Sequence, residues 1–146
     1  MICQSSNFGD KFTFDMIEEI NMKSPELIIE GSKTMPAISF KSGKLKITGR
    51  SIPTDSRRLY DPLFHVLYLY SQDPEDVTEF NIQLEYLNSD SNRSLMNLLI
   101  IAEKMHRRGK EVIIKWYYKN SDTVMFEQGH IFKSLIDVPF CFELIN

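Results

Sequence analysis

The chain has 146 residues, of which 42% are hydrophobic and 25% are charged, and its formal net charge is -3. This length fits one domain, which would bury roughly 68% of the surface that the unfolded chain exposes. A domain that holds nucleic acid usually carries a basic excess on one face. The 17 basic residues against 20 acidic ones therefore argue weakly against DNA, RNA or an anionic membrane surface as a partner.

The sequence predicts a cytoplasmic protein without membrane insertion. The longest apolar runs, such as Leu95 to Ala102, are far shorter than the roughly 20 residues that span a bilayer. The first 20 residues mix charged and apolar side chains, unlike a signal peptide. The two cysteines, Cys3 and Cys141, have no metal-ligand spacing, which is typical of free thiols in the cytoplasm.

The first 25 residues differ from the rest. A short amphipathic helix is possible there, built on Phe12, Phe14, Met16, Ile17 and Ile20. Nothing in the sequence ties this stretch to the remainder, so we expect residues 1–25 to be an extension of uncertain order and residues 26–146 to form a single domain.

From Pro36 onward the elements follow one another clearly. Ala37 to Phe40 and Leu45 to Thr48 alternate apolar and polar residues about a Lys-Ser-Gly-Lys turn, which predicts a β-hairpin. A helix with one buried face follows, based on Leu59, Tyr60, Leu63, Phe64, Leu67 and Tyr70. Pro62 would interrupt this helix unless it lies in the first turn, where Asp61 could be the cap, so that boundary stays open.

Two further helices alternate with three strands. Phe80 to Tyr86 predicts a half-buried strand, and the next helix carries an apolar stripe and stops at Gly109. Val112 to Tyr118 predicts another strand, with Trp116 in the core and Tyr117 the more exposed. Ser121 and Asp122 can cap the third helix. Pro139 opens the last strand, whose buried side carries Phe140, Phe142 and Leu144.

This order predicts an α/β fold. Strands that alternate with crossover helices favour parallel neighbours, and the opening hairpin adds an antiparallel edge. Because each strand has one polar side, the helices should cover mainly one face. We expect a four- to five-stranded mixed sheet with its other face wet or available to a partner.

Groups able to perform chemistry are scarce. His65, His106 and His130 lie on three different predicted helices without ligand spacing, and no glycine-rich phosphate loop follows a strand. The sequence thus predicts no metal, no cofactor and no enzymatic activity.

The stretch from Asn88 to Asn92 is the strongest candidate site. It lies where a predicted parallel strand ends and a helix begins, the edge on which open sheets carry functional loops. A helix N-terminus favours an anion, so a phosphate on a hydroxyl here would be tolerated. It would change the charge and the shape of the surface on which a partner docks. Ser, Asp and Asn are also preferred N-cap residues, and a simple capped helix explains the same pattern.

The run from Tyr86 to Leu95 resembles the Tyr–aromatic-or-Leu–Asn-Thr-Ser-Ser-x-Lys stretch of the SiaC family of bacterial regulatory phosphoproteins. The likeness extends to Pro36–Phe40, to Ile47–Pro53 and to Trp116–Tyr118. Asp122, Met125, Glu127 and Gly129 also agree with the family pattern. The resemblance covers roughly residues 27–146.

The resemblance implies a partner-switching module with a fold similar to the STAS domains of anti-sigma-factor antagonists. It implies that a Ser/Thr kinase phosphorylates the loop, that a PP2C-type phosphatase removes the phosphate, and that the unmodified protein activates a diguanylate cyclase. The acceptor would be Ser89, within a recognition loop formed by Asn88, Asp90, Ser91 and Arg93.

This sequence departs from the family pattern at three positions of the loop. Ser89 replaces the acceptor threonine and keeps its hydroxyl, while Arg93 replaces a lysine with different donor geometry. Asp90 replaces a serine and places a permanent charge beside the acceptor. That charge would either weaken kinase recognition or mimic phosphate in part, and Ser91 remains a second candidate acceptor. A constitutive adaptor without phosphorylation is the alternative function, and a small-molecule-binding or enzymatic domain is a third.

Overall fold

The computed structural model describes residues 25–146, which form six strands and three helices. The strands are β1 (Leu27–Ile29), β2 (Ala37–Lys41), β3 (Lys44–Ser51), β4 (Val77–Leu87), β5 (Glu111–Lys119) and β6 (Phe140–Ile145). The helices are α1 (Ser56–Tyr70), α2 (Ser89–Arg107) and α3 (Thr123–Leu135). The helix predicted between Phe12 and Ile20 lies outside the described residues.

The six strands form one mixed sheet in the order β1-β2-β3-β4-β5-β6. β1 to β3 are antiparallel neighbours, whereas β3 to β6 are parallel. The sheet is slightly larger than the predicted four or five strands. The additional strand, β1, has only three residues and pairs Leu27 with Phe40, so its sequence pattern is too short to predict it.

The predicted β-hairpin is confirmed. β2 and β3 are joined by Ser42 and Gly43, both with positive φ, which matches the right-handed twist of a tight hairpin. A β-carbon on Gly43 would stand 2.6 Å from the hydroxyl of Tyr70, at the end of α1. The turn therefore lies directly beside the last turn of α1.

All three helices pack on the same face of the sheet, as predicted. The alternate residues Phe80, Ile82 and Leu84 of β4 are buried on this face, as are Val112, Ile114 and Trp116 of β5. The Trp116 side chain donates a hydrogen bond to the Met125 carbonyl of α3 (2.9 Å), which ties that helix to the sheet. Burial of Trp116, with Tyr117 on the opposite face, agrees with the alternation.

The other face of the sheet is polar. Glu79 accepts a hydrogen bond from Lys115 at 2.6 Å and lies 3.6 Å from Lys44, and the Lys115 contact holds the pKa of Glu79 below its usual value. Tyr117 donates a hydrogen bond to the Asn81 side chain (2.9 Å). These polar residues thus pair across neighbouring strands.

The structure resolves the open boundary of α1 and corrects one prediction about the last strand. Asp55, not Asp61, caps α1 by accepting from the Arg57 amide (3.1 Å), and Pro62 lies inside the helix. Pro62 is exposed, so the carbonyl that loses its partner can be hydrated. Leu144, which the pattern predicts on the buried side of the last strand, is 54% exposed, and β6 is an edge strand with a neighbour on one side only.

The predicted starts and stops of the later helices are confirmed. Asp122 caps α3 by accepting from the Met125 amide (3.0 Å), and Gly109 with its positive φ follows the end of α2. Within residues 25–146, no helix is long and apolar enough to cross a membrane.

Candidate functional site

The junction between β4 and α2 is held from two sides by Asn88. Its side-chain oxygen accepts a hydrogen bond from the Ser91 amide (2.8 Å), which makes Asn88 the N-cap of α2. Its backbone amide donates to the Ser51 carbonyl (3.0 Å), and its side-chain amide donates to the Pro53 carbonyl (3.3 Å). The start of α2 is therefore fixed against the loop that leads from β3 into α1.

Ser89 is the first residue of α2 and is exposed to solvent. It borders a shallow groove of about 350 Å³ whose other lining residues are Asn92, Arg93, Met96 and Asn97. Ser89 and Arg93 are four residues apart on one helix, a spacing at which side chains are neighbours. A hydroxyl with this exposure can be reached by an enzyme without unfolding of the helix.

Ser91 has the opposite environment, because it is fully buried. Its hydroxyl accepts a hydrogen bond from the Ser51 hydroxyl (2.8 Å), which in turn lies 2.8 Å from the hydroxyl of Tyr60 on α1. Burial raises the pKa of Tyr60 to about 12, an effect that the Ser51 contact partly offsets. This buried chain of hydroxyls joins β3, α1 and α2, and it disfavours Ser91 as an acceptor in the folded protein.

Asp90 connects the starts of two helices. One carboxylate oxygen accepts from the Ser56 amide at the first position of α1 (3.2 Å), and the other accepts from Arg93 (3.3 Å). The Ser56 hydroxyl donates to the Asp90 carbonyl (3.2 Å) and lies 2.9 Å from the Ser94 hydroxyl. The hydrogen bonds from Ser56, and secondarily the Arg93 charge, lower the pKa of Asp90.

Both carboxylate oxygens of Asp90 thus have partners inside the domain. A carboxylate that caps a helix and pairs with an arginine has its charge largely balanced locally. This arrangement gives Asp90 a structural role and disfavours the interpretation in which it replaces a phosphate as a free charge.

The exposed hydroxyl of Ser89 lies at the start of a helix and near two arginines, each of which is paired with a carboxylate. The backbone amides of the first turn of a helix have no hydrogen-bond partner within the helix. In α2 the side chain of Asn88 accepts a hydrogen bond from one of them, the amide of Ser91. Arg93 and Arg57 are both exposed, and both charges act on Asp90 between them. A phosphate at Ser89 would add about -1.5 to -2 charges to this surface, within reach of Arg93.

The structure brings together four of the five residues that the sequence predicted for the site. Asn88, Ser89, Asp90 and Arg93 lie at the solvent-facing start of α2, whereas Ser91 points inward. Sequence reasoning missed the contributions of Ser51, Ser56 and Tyr60, which lie 31 or more positions away from Ser91. One signal was available: α1 and α2 both follow adjacent parallel strands, so their starts share one edge of the sheet.

Comparison with known proteins shows the family to which the chain belongs. Residues 29–145 match the sequence model of the SiaC family of regulatory phosphoproteins. That match covers most of the chain, and the chain belongs to the SiaC family. An uncharacterised protein of Pseudomonas aeruginosa strain UCBPP-PA14 is 27% identical over 120 residues, which is 81% of this chain and 95% of that relative.

Solved structures of relatives show the same fold. SiaC of Pseudomonas aeruginosa superposes with a TM-score of 0.76 at 26% identity, over 82% of this chain and 98% of that one. SiaC in complex with the diguanylate cyclase SiaD, of which it is the activator, superposes with a TM-score of 0.78 at 26% identity, over 82% of this chain and 99% of the relative.

Proposed function

We propose that this protein is a non-enzymatic signalling protein whose binding to an effector is switched by phosphorylation of Ser89. The observation that carries the proposal is the exposed Ser89 hydroxyl at the first position of α2, in a chain that belongs to a family of regulatory phosphoproteins. A Ser/Thr kinase would add the phosphate and a PP2C-type phosphatase would remove it.

The effector that we propose is a diguanylate cyclase. A relative with the same fold was solved as the activator of such a cyclase, which supports this choice. The unmodified protein would bind and activate the enzyme. A phosphate at Ser89 would add negative charge beside the Arg93–Asp90 pair, and this change in surface charge would weaken the binding of the cyclase.

Thr123 offers a matched control for the acceptor. It is the first residue of α3, it is exposed, and it follows the N-cap Asp122 just as Ser89 follows the N-cap Asn88. A general preference of a kinase for exposed hydroxyls at helix starts would modify both residues. Recognition of the loop that contains Asp90 and Arg93 would modify Ser89 alone.

The first experiment measures phosphorylation. The protein is coexpressed with its cognate Ser/Thr kinase from the same organism, and intact mass and peptide mapping locate the phosphate. We expect one phosphate on the wild type and on Thr123→Ala, and none on Ser89→Ala. A phosphate that persists in Ser89→Ala would contradict the assignment of the acceptor.

The second experiment measures the effector. Purified unmodified and phosphorylated proteins are each added to a diguanylate cyclase of the same organism, and the rate of cyclic di-GMP formation is followed. We expect activation by the unmodified form and by Ser89→Ala, and little by the phosphorylated form. Equal activation by both forms would refute the switch, while no activation by either form would refute the cyclase as effector.

A further inference from the structure

The two edges of the sheet differ in how well they are protected. Within residues 25–146, the sheet ends at β1 on one side and at β6 on the other. β1 has only 3 residues, and a very short edge strand is one device that prevents unwanted strand pairing. β6 has 6 residues in an unbroken register with β5, without proline or lysine, and its one charged side chain, Glu143, belongs to the polar sheet face. The edge at β6 is therefore open to a further strand.

The backbone groups that face this open edge belong to alternate residues of β6. The Ile114 amide of β5 donates a hydrogen bond to the Pro139 carbonyl (2.9 Å). Because groups that face a given neighbour alternate along a strand, Cys141 and Glu143 also direct their backbone groups toward β5. The amides and carbonyls that point away from β5 are those of Phe140, Phe142 and Leu144.

The same alternate residues carry apolar side chains on the helix face. Phe140 and Phe142 are in register with Ile114 and Trp116 and are half-buried. Leu144 is 54% exposed. The edge thus combines outward hydrogen-bonding groups with apolar surface, which is the combination that a protein uses when it adds a strand to its sheet.

A second copy of β6, running antiparallel, satisfies these groups in one register. Phe142 pairs with Phe142 of the second copy, and Phe140 pairs with Leu144, so that each pair exchanges both backbone hydrogen bonds. A shift in one direction places Glu143 opposite Glu143, and like charges directly opposite are destabilising. A shift in the other direction places Leu144 opposite Val138, which is buried before the strand begins.

This register puts the two-fold axis beside His130 of α3. A β-carbon on Gly129 would approach the Trp116 ring to 2.6 Å and the Phe142 ring to 2.8 Å, so α3 lies above the gap between β5 and β6. The His130 ring stacks on the Phe142 ring with 4.2 Å between centroids. Strands lie about 5 Å apart, so α3 and its copy would run antiparallel at about 10 Å, a normal distance for packed helices.

The charges on α3 are complementary about this axis. Glu127 and Lys133 are both exposed, and at 100° per residue they lie about 60° to either side of His130. The Lys133 ammonium lies 5.8 Å from the centroid of the Phe142 ring, which places it on the side of α3 that faces the open edge. In an antiparallel pair centred on His130, Glu127 of one copy is level with Lys133 of the other. A two-fold interface requires this kind of self-complementary surface.

We propose that this protein forms a two-fold symmetric dimer in which the β6 strands of two copies pair antiparallel and join the two sheets into one. Phe142 lies at the axis, and Glu127 of each copy faces Lys133 of the other. This inference goes beyond the proposed function, because it requires neither phosphate nor effector.

Disulfide formation tests the register. In a background with Cys3→Ser, Glu143→Cys places a thiol directly opposite Cys141 of the second copy. The two α-carbons would be about 4.5 Å apart, which a disulfide can span. We expect a covalent dimer on a non-reducing gel after mild oxidation. Little should form from Cys141 alone, or from the control Lys46→Cys at an exposed position of the same sheet face. No covalent dimer from Glu143→Cys, or as much from either control, would overturn the proposal.

Sedimentation equilibrium over a range of concentrations tests the strand pairing without a cross-link. Leu144→Pro removes an outward amide that the ladder with β5 does not use, so the fold should be retained, as circular dichroism would verify. We expect the dissociation constant of the dimer to rise by about tenfold or more. Leu144→Ala keeps the amide and should cause a smaller rise. A dimer that Leu144→Pro leaves unchanged, or a wild type that is monomeric at every concentration, would refute the pairing.

Charge exchange tests the contact between the two α3 helices. Glu127→Lys and Lys133→Glu should each weaken the dimer, because each places like charges across the axis, and the double variant should restore it. Lys104→Glu, on α2, is the control and should have no effect. A double variant as weak as the single ones would refute the proposed helix contact.

Discussion

The carboxylate of Asp90, at the second position of α2, accepts a hydrogen bond from the backbone amide of Ser56 at the first position of α1 (3.2 Å). Because a helix leaves its first amides without internal partners, this bond caps α1 with a side chain of α2. The proposed acceptor Ser89 thus precedes a residue that couples the two helices. A change at Ser89 thus occurs at the first position of α2, beside the residue that binds the start of α1.

Removal of the Asp90 side chain should destabilise the domain. Asp90→Ala loses the bond to Ser56 and the pair with Arg93, whereas Asp90→Asn keeps an oxygen for Ser56 and loses the charge and the contact with Arg93. We expect the urea midpoint to be highest for the wild type, lower for Asp90→Asn and lowest for Asp90→Ala. Asp61→Ala, at an exposed position of α1, should keep a midpoint near that of the wild type. An unchanged midpoint for Asp90→Ala would mean that the cap contributes nothing.

The contribution of Asp90 should also depend on pH. Its pKa is lowered in the folded state, chiefly by the hydrogen bonds from Ser56. As the pH falls, Asp90 therefore takes up a proton in the unfolded chain before it does so in the folded one. The stabilisation from the charged carboxylate is fully present above the ordinary pKa of 3.8 and is lost as the pH falls below that value. The stability difference between wild type and Asp90→Ala should be constant near neutral pH and shrink below about pH 4. A difference that grows under acid conditions would contradict the assigned sign.

Two serines of the same loop should respond differently to truncation. Ser91→Ala removes the acceptor of the buried Ser51 hydroxyl, so we expect a loss of about 1–2 kcal/mol in the free energy of unfolding. Ser89→Ala alters an exposed side chain and should stay within about 0.5 kcal/mol of wild type. Denaturant titration of both variants measures this contrast, and equal losses would show that Ser91 is not held as the structure indicates.

Tyr60 should make the protein sensitive to alkali. Burial raises its folded-state pKa to about 12 from 10.0, so between these values the unfolded chain has released a proton that the folded chain retains. Stability should fall as the pH rises through this window, by about 2–3 kcal/mol in full. Tyr60→Phe should be somewhat less stable at pH 8 and lose less between pH 9 and 11.5. An identical decline in both proteins would assign the effect to other groups.

Gly129 should not tolerate a side chain. A β-carbon there would approach the Trp116 ring to 2.6 Å and the Phe142 ring to 2.8 Å, and both rings are packed in place between α3 and the sheet. Gly129→Ala should therefore cost about 1–3 kcal/mol, although alanine is the better helix former. Ser134→Ala, at an exposed position of the same helix, is the control. A stabilised Gly129→Ala protein would show that α3 can shift away from Trp116.

Local pattern determined much of this protein, because strands and helices with one buried face impose fixed spacings on apolar residues. The alternation in Phe80 to Tyr86 and the stripe that begins at Leu95 predicted β4 and α2, and the junction between them placed Ser89 at a helix start. The hairpin turn at Ser42 and Gly43 and the inward position of Trp116 followed in the same way.

Tertiary structure alone decided which polar groups meet. Ser91 and Ser89 have the same side chain two positions apart, yet only the packing of α1 against α2 buries Ser91 on Ser51. The bond between Asp90 and Ser56 joins residues 34 positions apart, which no local spacing encodes. Pro62 within α1 and the exposed Leu144 on the edge strand depend likewise on which neighbours cover them. Burial and long-range hydrogen bonds arise only when separate elements are brought together, so they lie beyond what periodicity can predict.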